Sequence, residues 1–145
     1  MFSLKKKKEE TDTKVKDVRL LKSEVKEILR TVPRDKAFYF YEALGKPTGH
    51  VATGLVDFRN KVNTVPSSCL AFHLRRKDFE NWVRDVMGDS ELAKRISEID
   101  SSGFYVRMKL YAVVDTRINE LQEMLSTSSV VSEDVFASSR LSEAE

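Results

Sequence analysis

The chain has 145 residues, 41% of them apolar and 33% charged, which allows one domain with a real hydrophobic core and argues against wholesale disorder. Its net charge of +2 is too small to imply nucleic-acid binding by itself, and the lone Cys69 excludes an intramolecular disulfide framework. Two histidines, His50 and His73, do not make the usual zinc clusters, and no apolar run approaches the ~20 residues needed to cross a bilayer. These bounds point to a soluble, intracellular, mixed domain.

The charge is unevenly spread. Residues 126–145 carry Glu133, Asp134, Glu143 and Glu145 against Arg140, a net of −3, while the first 125 residues hold 24 basic against 19 acidic side chains, a net of +5. Lys5, Lys6, Lys7 and Lys8 supply most of that excess. Met1–Leu4 is too short, and lies on the wrong side of these lysines, to be a signal-peptide core. A flexible basic arm is expected over residues 1–14, either simply solvated or touching phosphate on nucleic acid or a membrane face. The segment 126–145 is serine-rich with little apolar content, so a flexible acidic tail is expected there.

Between the tails, Val18, Leu21, Val25, Ile28 and Val32 step by 3, 4, 3 and 4, the spacing of one helix face, and Pro33 stops the run. Ala37–Glu42 is an aromatic run of strand length that places Phe38 and Phe40 on one face and Tyr39 and Tyr41 on the other. Gly45–His50 reads as a turn or loop. Thr53 is expected to cap a helix through Leu55, Phe58 and Val62, which Val65–Ser68 breaks. Cys69–Leu74 reads as a second short strand. Asp78 is expected to cap a helix carrying Phe79, Trp82, Val83 and Val86, Gly88 to end it, and Asp89 to start another through Leu92, Ile96 and Ile99. After Gly103 a long helix is predicted to about Leu125. The expected fold is an α+β domain over residues 15–125: a small sheet of two or more short strands covered by about five helices.

The blocks Phe38-Tyr39-Phe40-Tyr41-Glu42, Gly45-Lys46-Pro47-Thr48-Gly49, Phe72-His73-Leu74, Asp78-Phe79-Glu80-Asn81-Trp82 and Gly88-Asp89-Ser90-Glu91-Leu92-Ala93 occur in an order that resembles an uncharacterised, mainly archaeal domain-of-unknown-function family (family 5752). The resemblance covers about residues 36–99. It implies an archaeal, cytoplasmic origin and no particular activity.

The candidate chemistry is thin. Lys46, Thr48, Gly45 and Gly49 suggest a phosphate loop, but Pro47 has no N–H to donate and Phe40 stands where the first glycine belongs. The aromatic strand superficially resembles an RNA-recognition strand, yet Tyr39 and Ala43 break the motif. His50 and His73 carry no ligand spacing, and His73 reads better as a hydrogen-bonded structural histidine. Cys69 lacks a nucleophile motif, so no catalytic residue, metal site or cofactor is expected. Arg75, Arg76 and Lys77 form the strongest cationic cluster outside the arm, either a solvated turn or an anion site. The predicted anion or partner surface is therefore Lys5, Lys6, Lys7, Lys8, Lys46, Thr48, His50, Arg75 and Arg76. Tyr111, Val114, Ile118, Leu121 and Leu125 form a helical stripe that either packs on the sheet or pairs with a second copy in a homodimer. The functional expectation is a non-catalytic binding or adaptor domain with an unidentified protein partner. The alternatives are RNA or ribosome association, and a small phosphate or sugar ligand.

Overall fold

A computed structural model describes residues 20–144, with side chains through residue 126. Lys26–Leu121 forms the larger compact unit, and the residues on either side group separately. The elements are α1 (Lys22–Ile28), a 3₁₀ turn (Arg34–Lys36), β1 (Phe38–Ala43), β2 (Lys46–Ala52), α2 (Leu55–Val62), α3 (Ser67–Arg76), α4 (Asp78–Trp82), a π turn (Val83–Met87), α5 (Ser90–Ser97) and α6 (Val106–Ala144). This is an α+β arrangement, with one two-stranded antiparallel sheet and six α-helices among the described residues. The basic arm falls outside the described residues, and the serine-rich tail lies beyond the described side chains, though α6 runs on past Leu125.

β1 follows its alternation: Phe38 and Phe40 are buried, Tyr39 is exposed and Tyr41 is half-buried. The expected loop at Gly45–His50 is instead mostly strand β2, and only Leu44 and Gly45 turn the hairpin. Gly45 takes φ +74°, a left-handed conformation that costs glycine least, and this lets so short a turn reverse the chain. Composition misled here because Pro47 and Gly49 weaken strand propensity, while pairing with β1 overrides it. Register slips on both sides of Tyr41, whose partner across the ladder is Pro47, a residue with no N–H.

The expected strand at Cys69–Leu74 is helix. Cys69, Leu70, His73 and Leu74 are the buried positions of α3, a helical stripe inside a short apolar run whose period is ambiguous without its flanks. Pro66 at its N-cap both breaks the preceding chain and starts this helix. Thr53 does not cap α2. Gly54 holds the N-cap position, and the Thr53 N–H donates to the Asp57 carboxylate at 3.1 Å.

Asp78 does not cap α4 either, since Lys77 at φ 64° turns the corner between α3 and α4. The following helix is interrupted by the π turn. Its extra residue per turn rotates the register, so Met87 enters the core in place of the expected Val86. Gly88 at φ +84° ends this segment as predicted. Asp89 starts α5 as predicted, accepting the Leu92 N–H at 3.1 Å.

α3 packs on β1 and α2 on β2. Their buried faces enclose an aromatic cluster. Phe38 lies 4.9 Å from Phe40 and 5.0 Å from Phe79, and Phe58 lies 5.1 Å from Phe79 and 5.6 Å from Trp82 (ring centroids). Each edge-on or tilted pair adds about 0.5–1.5 kcal/mol beyond the area it buries.

Arg117, one of the polar residues beside the α6 stripe, is only 3% exposed and Asp89 only 1%. They form a bidentate pair, with Nε to Oδ2 at 2.8 Å and Nη2 to Oδ1 at 3.0 Å. Arg117 also reaches Glu120, which is held in turn by Arg95. Among the described residues, every buried side-chain nitrogen and oxygen has a hydrogen-bond partner. Replacing Arg117 with methionine strands the Asp89 carboxylate in the interior, and the expected cost is about 3–5 kcal/mol. Urea unfolding of Arg117→Met against the parent measures it, and a loss below about 1 kcal/mol would contradict the pair's structural role.

Candidate functional site

The groove richest in convergent aromatic and polar groups lies between β1, the hairpin tip and the α3–α4 corner. Phe38, Tyr39, Tyr41, Leu44, Phe72 and Trp82 supply its apolar walls, and His73, Arg76 and Asp78 its polar floor, around a cavity of about 400 Å³. Each polar group is placed by the local fold. His73 sits in the last turn of α3 and Asp78 opens α4, and the left-handed Lys77 folds the two together.

The imidazole of His73 is 3% exposed and both its nitrogens are used. Nε2 accepts the Tyr41 backbone N–H at 2.8 Å, and Nδ1 lies 2.8 Å from Asp78 Oδ2. An acceptor at Nε2 requires the proton to sit on Nδ1, so the neutral tautomer is fixed and donates to Asp78. Burial holds the His73 pKa below its usual value, only partly offset by the hydrogen bond to Asp78 and its charge. Protonating Nε2 would break the Tyr41 bond and set two donors face to face.

Asp78 Oδ2 also accepts Arg76 Nε–H at 3.0 Å. The Arg76 guanidinium lies over the Phe72 ring, 5.2 Å from its centroid. Phe72 and Asp78 thus hold the arginine in place from its face and from its Nε edge. Trp82 donates its indole N–H to the Lys36 carbonyl at 2.9 Å, which fixes its ring in the groove wall.

Among the described residues of the predicted anion or partner surface, Arg76 alone lines this groove. Arg75 is exposed beside it in the last turn of α3, where the helix's C-terminal carbonyls favour a cation. Arg75 and Arg76 thus end one helix, where a strand was expected, and α4 starts at Asp78 just beyond them. Lys46, Thr48 and His50 lie on β2. Thr48 is committed to the hairpin, donating to the Phe40 carbonyl at 2.8 Å and accepting the His50 N–H at 3.1 Å. Among the described residues, no hydrogen bond or ion pair joins these three to Arg75 or Arg76. Lys5, Lys6, Lys7 and Lys8 lie outside the described residues. In the α6 stripe, Val114, Ile118 and Leu121 are fully buried within the chain, and Tyr111 and Leu125 are half-buried.

Sequence reasoning passed over Phe72 and Asp78 as partners for Arg76. The signal was present: Phe72 and Arg76 stand four apart, as do Cys69 and His73, once the segment is taken as helix. Cys69 is wholly buried, and burial, reinforced by the Glu42 charge and opposed by Arg107, pushes its thiol up to about 12. Among the described residues no cluster of three His, Cys, Asp or Glu side chains is placed to hold a metal ion.

Two measurements probe these buried groups. Because the folded pKa of His73 lies below the unfolded value, the unfolded chain binds the extra proton first as pH falls. The contribution is therefore complete above about pH 6.5 and is lost on acidification toward the lowered folded pKa, with a slope up to about 1.4 kcal/mol per pH unit. His73→Gln is expected to be less stable at pH 7 and to flatten urea midpoints between pH 7 and 5; an unchanged profile would refute the lowered His73 pKa. Cys69 is expected to react with a thiol-alkylating reagent at least about a hundredfold more slowly in the folded than in the urea-unfolded chain. Equal rates would show an accessible thiolate.

A family model described as a family of unknown function (DUF5752) matches residues 9–101. The match is wider than the blocks between residues 36 and 99, and it contains every residue of the groove. No curated protein and no solved structure matches the chain. Among the described residues no helix is long and apolar enough to cross a membrane. The chain belongs to the DUF5752 family of unknown function.

Proposed function

We propose that this protein is a non-catalytic binding domain whose ligand occupies the aromatic groove beside Arg76. The observation that carries this reading is the state of the groove's polar groups. His73 uses both ring nitrogens in structural hydrogen bonds, and Asp78 is shared between His73 and Arg76, so neither is placed to carry a proton to or from a substrate. What the groove offers is a held guanidinium and an aromatic surface, which are means of recognition. An archaeal, cytoplasmic setting belongs to the same proposal and rests on the sequence resemblance. RNA or ribosome association through Lys5–Lys8 gains no support from Arg75 or Arg76, which lie at a helix C-terminus apart from Lys46, Thr48 and His50.

The test is backbone amide and indole NMR of the full chain against small neutral, anionic and cationic aromatic fragments. Shift changes are expected to gather at Leu44, Gly45, Arg76 and the Trp82 indole, with the fragments recovered chemically unaltered. Changes centred instead on Lys46, Thr48 and His50, or none at the groove with any fragment, would overturn the reading.

A further inference from the structure

We propose that the groove selects small aromatic monocarboxylates, the carboxylate forked by the terminal nitrogens of Arg76 and the ring held among Tyr39, Tyr41, Leu44 and Trp82. This inference rests on the binding-domain reading above and names the chemistry of its ligand.

Among the described residues, Arg76 is the sole cation lining the groove. Its Nε is taken by Asp78 and one face is covered by Phe72. Its two terminal Nη groups make no hydrogen bond among the described residues, and nearly half of the side chain remains exposed, at 49%. A guanidinium held in this way presents parallel donors whose geometry matches the two oxygens of a carboxylate. Little side-chain freedom is left to lose when they bind.

Charge sets the choice of anion. With His73 neutral, Asp78 and Arg76 cancel, so the groove carries no net charge and only the Nη edge is positive. A dianionic phosphate would meet one cation already shared with a carboxylate, and neither Lys46 nor Arg75 lines the groove to add a second. A monoanion needs one guanidinium. The rest of the surface is apolar: Leu44, 76% exposed at the hairpin tip, and Tyr39, 42% exposed, flank Tyr41 and Trp82. Rings meet one another favourably edge to face, so a flat apolar body fits these walls better than a sugar. A cavity of about 400 Å³ suits a ligand of one or two rings.

Trp82 is the chain's only tryptophan and lines the groove, so its fluorescence reports occupancy directly. The experiment titrates the full-length protein with 3-phenylpropionate, 3-phenylpropanamide, 3-phenylpropylamine and inorganic phosphate, each at constant ionic strength. The acid is expected to saturate the signal and to bind about tenfold or more tightly than the isosteric amide, the scale of a charge-assisted hydrogen bond. Arg76→Ala is expected to bring the acid down to the amide's affinity, and Arg76→Lys to fall between. The acid–amide comparison uses the unmodified protein and does not depend on how the variants fold. Amide or amine binding as well as the acid would overturn carboxylate selection while leaving the groove reading intact. Phosphate competing as effectively as the acid would also overturn it, in favour of a general anion site. If none of the four probes binds at millimolar concentration, the carboxylate proposal falls. The fragment mapping then decides separately whether the groove reading falls with it.

Discussion

His73 lies inside a cage of aromatic rings, with Phe38 4.8 Å and Phe79 5.2 Å from it, and a polar ring in that position must satisfy both nitrogens internally. The two partners it takes organise the surrounding chain. Accepting from the Tyr41 N–H ties the middle of β1 to α3 at the residue where pairing with β2 slips. Donating to Asp78 fixes the start of α4 and, through the same oxygen, the position of Arg76. Hairpin, helical corner and groove therefore share one hydrogen-bond relay centred on the buried imidazole. Loss of the imidazole would leave the Tyr41 N–H without its partner and the Asp78 carboxylate with Arg76 alone.

The Asp89–Arg117 pair plays a comparable part on the helical side. Desolvating two charges is costly, and the bidentate contact alone offsets that cost only in part. Here the carboxylate has a further use as the N-cap of α5, and the guanidinium a further acceptor in Glu120. The pair thereby fixes the start of one helix against a set point along α6. An apolar substitute would fill the space without specifying that register, so the pair's main contribution is to position rather than to net stability.

The functional reading follows from which polar atoms are already engaged. His50 and Thr48, chosen from sequence for their chemistry, sit on a strand where the Thr48 hydroxyl and the His50 N–H hold the hairpin. In the groove, His73 and Asp78 close on one another. Arg76 is the exception: its anchoring to Asp78 and Phe72 immobilises it while leaving its outer donors open. A fixed donor pair beside aromatic walls is the feature on which the binding reading proposed above rests.

The amino-acid sequence by itself determined the α+β class, the burial of Phe38 and Phe40, the helix stop at Gly88, the start at Asp89 and the apolar stripe of α6. Each of these is a local matter of side-chain period, left-handed φ or a capping carboxylate. The helix expected to run through Val32 to Pro33 ends instead at Ile28, and Leu21 lies exposed before its start. Wherever the outcome depended on a partner distant in the chain, the sequence was ambiguous. Lys46–Ala52 became a strand because β1 pairs with it, despite Pro47 and Gly49. Cys69–Leu74 became helix because its apolar residues had to face a single core, and the run was too short to show its period. The π turn that moved Met87 inward has no local signature, and Asp78 looked like a cap until His73 and Arg76 claimed its carboxylate. Only the tertiary structure could separate Arg76 from Lys46, Thr48, His50 and Arg75 as the cation of the groove. Its neighbours there, Tyr39, Tyr41 and Leu44, lie more than thirty residues away in the chain, and proximity across that distance is set by packing.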